Sequence, residues 1–126
     1  MNEPPSNVAV QDQPSAYRGL GRSHRELLKA VEALGLAARR AGPLEPRVTQ
    51  LVQLGAAAAI RSEGAVHSHV RRALALGLSP EEIRHAIVVL VSTIGFPTVR
   101  AALSWADDIL RAKAAPARKR RAGSRG

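Results

Sequence analysis

The 126-residue chain contains no cysteine. Disulfides, thiolate metal sites and thiol redox chemistry supplied by this chain are thereby excluded. Aromatic residues are almost as scarce, with one Phe, one Tyr and one Trp. The core must therefore come from Ala, Leu, Val and Ile, and an apolar fraction of 45% supplies enough of them. The aromatic platforms that single-strand nucleic-acid binding would use are missing too. No run of about 18 or more apolar residues occurs, so no segment is expected to span a membrane. The opening MNEPPSNVAVQDQPSAYRG lacks the charged and apolar regions of a secretory signal. A cytoplasmic location is the expectation.

What is present in excess is positive charge, +9 in all, and its position matters more than its size. From Arg111 to Gly126 there are seven basic residues and no acid, whereas residues 1–110 hold twelve basic and ten acidic residues. The body is thus nearly balanced and the surplus is a tail. A basic tail such as Arg118-Lys119-Arg120-Arg121 can contact nucleic acid. A disordered solubilising tail has the same composition, and that is the reading adopted for 113–126. Residues 1–21, rich in Pro, Ser, Asn, Gln and Gly, read as a flexible arm. Between them, 22–112 reads as one helical domain.

Within that domain the punctuation is helical throughout. Ser23-His24-Arg25-Glu26 reads as a capping box opening a first helix, with Leu27, Leu28, Val31, Leu34 and Ala38 on one face. Gly42 is expected as its left-handed cap and Pro43 as its stop. Pro46 suits the first turn of a second helix. There Val48, Leu51, Val52, Leu54, Ala58 and Ile60 are apolar on more than one side, as in the buried centre of a bundle. A third helix is predicted over Glu63–Leu76, with Gly77 as its C-cap. Leu78-Ser79-Pro80-Glu81-Glu82-Ile83 combines an N-cap Ser, Pro at the first helical position, a capping-box Glu and a hydrophobic staple. The fourth helix it opens should run to Gly95, and Gly95-Phe96-Pro97 should separate it from a fifth. Val99, Ala102, Leu103, Ala106 and Leu110 give the fifth its apolar face, with Trp105 on or beside it. No segment alternates convincingly as a strand, so the fold class is all-α, with about five helices.

Four stretches carry a resemblance: Ala41-Gly42-Pro43-Leu44-Glu45-Pro46, His69-Val70-Arg71-Arg72-Ala73-Leu74, Gly77-Leu78-Ser79-Pro80-Glu81-Glu82-Ile83 and Gly95-Phe96-Pro97. In this order, over roughly residues 24–110, the chain resembles the carboxymuconolactone decarboxylase family, which includes the alkylhydroperoxidase D-like proteins. The resemblance implies an oligomeric all-α bundle around a helical hairpin, usually a homotrimer or homohexamer. The family's redox branch carries Cys-x-x-Cys just before its histidine and a proton-relaying glutamate on the preceding helix. Here the matching positions are Ser62, Ala65 and Gln50, and of that set only His69 remains. Thiol peroxidase activity is therefore not expected. The cysteine-free decarboxylase branch, which acts on a small anionic lactone acid, matches better and implies no cofactor.

Several residues are candidates for chemistry. His69, on the inner half of its helix, can move a proton or bind a carboxylate near neutral pH, and a histidine hydrogen-bonded in a subunit interface would give the same pattern. Glu63 and His67, four residues apart, can pair and orient the imidazole, or can be an ordinary exposed pair. Arg72 or Arg71 can grip a substrate carboxylate in bidentate fashion, although a solvated pair or a link to another subunit fits as well. Ser62 can donate a hydrogen bond where a thiol would stand, and Phe96 can line a pocket. His67-Ser68-His69 is not a metal motif, because residues two apart on a helix point about 200° apart. No metal is expected.

Two functions follow as expectations. One is a small lyase acting on a lactone or carboxylic acid through His69. The other is a non-catalytic oligomeric binding or scaffold protein that keeps the family fold without its chemistry.

Overall fold

In the computed structural model, residue 19 and residues 22–125 are described, with side chains as far as 112. The expected arm over 1–21 and basic tail over 113–126 therefore fall almost wholly outside the described side chains. The chain divides into two compact units, residues 1–45 and 46–126.

The first unit contributes helix α1, Arg25–Arg39. Ser23 does not cap it. His24 occupies the N-cap without a side-chain bond, while the Ser23 hydroxyl donates to the Gly19 carbonyl at 3.1 Å and lies 2.8 Å from His24 Nδ1. Gly42 is not the left-handed cap either. The Arg40 amide bonds Leu36 and the Ala41 amide bonds Ala38, so the helix closes before the glycine is reached. Leu28 is its buried residue, and Leu27, Val31 and Leu34 are exposed.

The second unit holds α2 (Pro46–Ala59), α3 (Glu63–Ala75), α4 (Pro80–Val88), α5 (Val91–Ile94) and α6 (Phe96–Arg125). Among the described residues every regular element is helical. Helices α2 and α3 form an antiparallel hairpin, and α6 lies beside α3 in parallel. Helix α4 packs on α2 and α6, and short α5 rests on α6. The hairpin turn closes by two backbone bonds, Arg61 N–H to Ala58 and Ser62 N–H to Ala57. This is a Schellman motif, and Arg61 takes the left-handed position at φ 57° that glycine normally fills. The same motif ends α3, with Leu78 N–H bonded to Ala73 and Gly77 N–H to Leu74. There Gly77 supplies φ 89° without a Cβ penalty.

The capping box at Ser79 forms as the sequence specifies. The Glu82 amide donates to Ser79 Oγ at 3.0 Å, and the Ser79 amide donates to the Glu82 carboxylate at 2.8 Å. The helix it starts does not reach Gly95 unbroken. Leu90 N–H bonds Ile87 and Thr93 N–H bonds Leu90, the tighter three-residue pattern, which separates α4 from α5. No Gly or Pro marks the spot. The run Ile87-Val88-Val89-Leu90-Val91 is rich in β-branched residues, whose restricted χ1 lowers helix propensity. Gly95, at φ 91°, then turns the chain into α6.

The core is aliphatic. Leu54, Val66, Val70, Ile83 and Ile87 are fully buried. Ala57, Ala58, Ala73, Ala102 and Ala106 fill the crossings with the least volume. Trp105 packs half-buried against this cluster. Helix α2 is less enclosed than its sequence suggests: Val52 remains exposed at 58%, and Ile60, just past the helix end, at 74%. No described helix is long and apolar enough to cross a membrane.

Candidate functional site

The hairpin brings a buried amide to a histidine. Antiparallel pairing of α2 and α3 sets Gln50 opposite His69, and Gln50 Oε1 lies 2.9 Å from His69 Nδ1. Gln50 is only 3% exposed, and it is the one buried polar side chain of the described residues. A buried amide needs a partner, and the imidazole is that partner. The amide oxygen can only accept, so in this arrangement the imidazole donates to it through Nδ1. Gln50, noted in the sequence only as a departure from a glutamate, thus holds the histidine in place.

His67 leaves α3 on another side. Its Nε2 meets Asp108 Oδ2 of α6 at 3.1 Å. The two histidines face different helices, as the 200° separation on a helix requires. Glu63, four residues before His67, is exposed in the first turn of α3 and belongs to the same group of side chains as His67 and Asp108. Asp108 was missed by sequence reasoning. It lies 41 residues from His67, and no local spacing signals such a contact.

The other candidates take varied places. Ser62 Oγ accepts the Ala65 amide at 3.3 Å and serves as the N-cap of α3. Arg72 is half-buried three residues beyond His69, hence on the same side of α3. Arg71 lies one turn beyond His67 instead, and its Nη1 is buried without a hydrogen-bond partner among the described residues. Phe96 is 63% exposed at the start of α6.

An open groove of about 660 Å³ runs between α2 and α4, lined by Val48, Leu51, Val52, Gly55 and Ala56 on one side and Ala86, Val89 and Leu90 on the other, with Glu82 and His85 at its edge. Neither His69 nor Phe96 lines it. The groove is almost wholly apolar, and its one carboxylate is engaged. The Ser79 backbone amide above all holds the Glu82 carboxyl below its ordinary value; desolvation opposes it, and the charge of Arg47 adds a lesser pull in the same direction as the amide.

The sequence was compared with known proteins. Nothing among curated proteins matched, and nothing among solved structures matched. The model of the carboxymuconolactone decarboxylase family matches residues 25–108, a span that begins with α1, contains the whole Gln50–His69 hairpin and ends at Asp108. With two thirds of its length matched, the chain belongs to the carboxymuconolactone decarboxylase family.

Proposed function

We propose that this family member acts on a small lactone or carboxylic acid by moving a proton through His69. The observation that carries the reading is the 2.9 Å bond between His69 and buried Gln50. A fixed tautomer and a fixed ring plane are what a general acid–base histidine requires. An amide partner differs from a carboxylate in one respect: it orients the ring without adding a negative charge to hold a proton on it. Such a histidine is suited to accept a proton from a substrate and return it. Arg72, on the same side of α3, is the side chain to hold the substrate's carboxylate. Thiol peroxidase chemistry has no nucleophile here, because the chain has no cysteine.

The test is a thermal-shift screen with small lactones and dicarboxylates on wild type and His69→Ala together. A ligand that binds only the native state raises Tm by mass action. A rise in wild type that is absent in the variant supports the reading. No rise with any ligand, together with a variant that is merely less stable, refutes it.

The groove between α2 and α4 favours a second reading, a homo-oligomeric scaffold without catalysis. Val52 and Val89, on opposite walls, are both more than half exposed. Contiguous apolar surface of this kind is characteristic of an interaction site. A second copy of the chain is the proposed occupant, in the trimer or hexamer that the family resemblance implies. Light scattering at micromolar concentration tests it, and a monomer removes it.

A further inference from the structure

Glu63, His67 and Asp108 form a group that the proposed proton transfer does not use. Glu63 and His67 stand four residues apart on α3, and so share one side of that helix. Asp108 reaches them from α6. One carboxylate oxygen of each acid and one imidazole nitrogen all lie within 4.8 Å of one another. His67 Nε2 and Asp108 Oδ2 are already 3.1 Å apart. Donors at about 2.0–2.2 Å from a tetrahedral divalent ion lie roughly 3.3–3.6 Å from each other. The imidazole and Asp108 thus stand close to that spacing, and a rotamer change of exposed Glu63 by roughly 1 Å would complete it.

The charge pattern points the same way. Among the described residues neither Glu63 nor Asp108 pairs with Arg or Lys. The neighbouring Asp107 takes both nearby cations, Arg84 at 2.9 Å and Arg111 at 3.8 Å. Asp108 is left to the imidazole, whose side chain is only 15% exposed. A half-buried nitrogen donor fixed by a carboxylate, with a second carboxylate one helical turn away, is a mixed donor set drawn from two helices.

We propose that Glu63, His67 and Asp108 bind a divalent first-row cation of the zinc and cobalt type. Imidazole selects these ions over magnesium and calcium, and the lack of a thiolate disfavours the softest ones. Three protein ligands leave one position for water. His69 takes no part, since it faces α2.

The experiment uses the full chain stripped with a chelator. Zn²⁺ binding is followed by calorimetry and Co²⁺ binding by visible absorption, for wild type, His67→Ala, Asp108→Asn, Glu63→Gln and His85→Ala, with helicity checked by circular dichroism. The expected result is one equivalent bound, weakened on the order of tenfold or more in the first three variants and unchanged in His85→Ala. Should His67→Ala fail to fold, the two exposed carboxylate variants carry the test. No saturable binding of either ion at millimolar concentration overturns the proposal. So does binding that Asp108→Asn and Glu63→Gln leave within twofold of wild type, or that His85→Ala abolishes.

Discussion

Gln50 and His69 are 19 residues apart in the chain, and each is the other's hydrogen-bond partner inside the α2–α3 hairpin. Two substitutions at Gln50 separate the structural from the chemical side of this bond. Gln50→Leu keeps the volume but removes the amide's bond to the imidazole. It should cost about 0.5–1.5 kcal/mol in urea denaturation, the usual net worth of one hydrogen bond. Gln50→Glu replaces the amide by a carboxylate and should raise the pH at which the His69 ring loses its proton, as followed by NMR of the ring protons. An unchanged titration in Gln50→Glu would mean that the two groups do not meet in solution.

The capping box at the start of α4 makes a prediction about acid. Glu82 is held below its ordinary value, first by the Ser79 amide. A carboxyl depressed in the folded state adds stability that is fully present above its unfolded value and is lost as pH falls through the folded one. Wild type should therefore be more stable than Glu82→Gln at neutral pH, and the gap should close as the pH drops below the ordinary carboxylate range. Thermal melts over a pH series measure it. A gap independent of pH would contradict the assignment.

Separately, Ser79→Ala removes the acceptor for the Glu82 amide and should cost about 1 kcal/mol, the usual worth of a serine N-cap. Chemical denaturation compared with wild type gives the value.

Arg61 holds φ 57° between α2 and α3 and donates to Thr98 Oγ1 at 2.9 Å. Arg61→Gly should relieve backbone strain and leave stability equal or slightly higher. Arg61→Val should lower it by about 1 kcal/mol or more, because a β-branched residue fits the left-handed region worst. Measured side by side in urea, the Val variant should be clearly the less stable of the two if the turn is as described.

Leu54 and Ile87 are fully buried in the aliphatic core. Leu54→Ala should cost about 2–5 kcal/mol, and Ile87→Val about 0.5–1.5 kcal/mol. The first is a large share of the total stability of a domain of this size. Equal effects would mean that the core around Leu54 collapses to fill the space.

Much of this architecture could be read from the chain because its signals are local. Ser79, Pro80 and Glu82 specify a helix start within four residues, and Gly77 and Gly95 mark positive φ where only glycine is comfortable. Where a local signal had a competitor, the reading failed: Ser23 spends its hydroxyl on Gly19 and its neighbour His24 instead of on the N-cap. Arg61 shows the converse, a left-handed residue closing a Schellman turn where no composition rule would select it. The α4–α5 interruption has no Gly or Pro to announce it. Side-chain encounters across helices were the least legible. His69 was visible as a candidate, but its buried partner Gln50 was visible only as a missing acid. Asp108 and the α2–α4 groove emerge only when distant segments are placed side by side.

Trp105 has a practical consequence beyond packing. It is the protein's one tryptophan, half-buried against the core on α6 and one turn ahead of Asp108. Intrinsic fluorescence excited at the indole therefore has a single source at a known address. Unfolding, cation loading beside Asp108 and assembly of copies could each be followed by emission without a dye or an engineered label, and any change in the spectrum would report on the surroundings of α6.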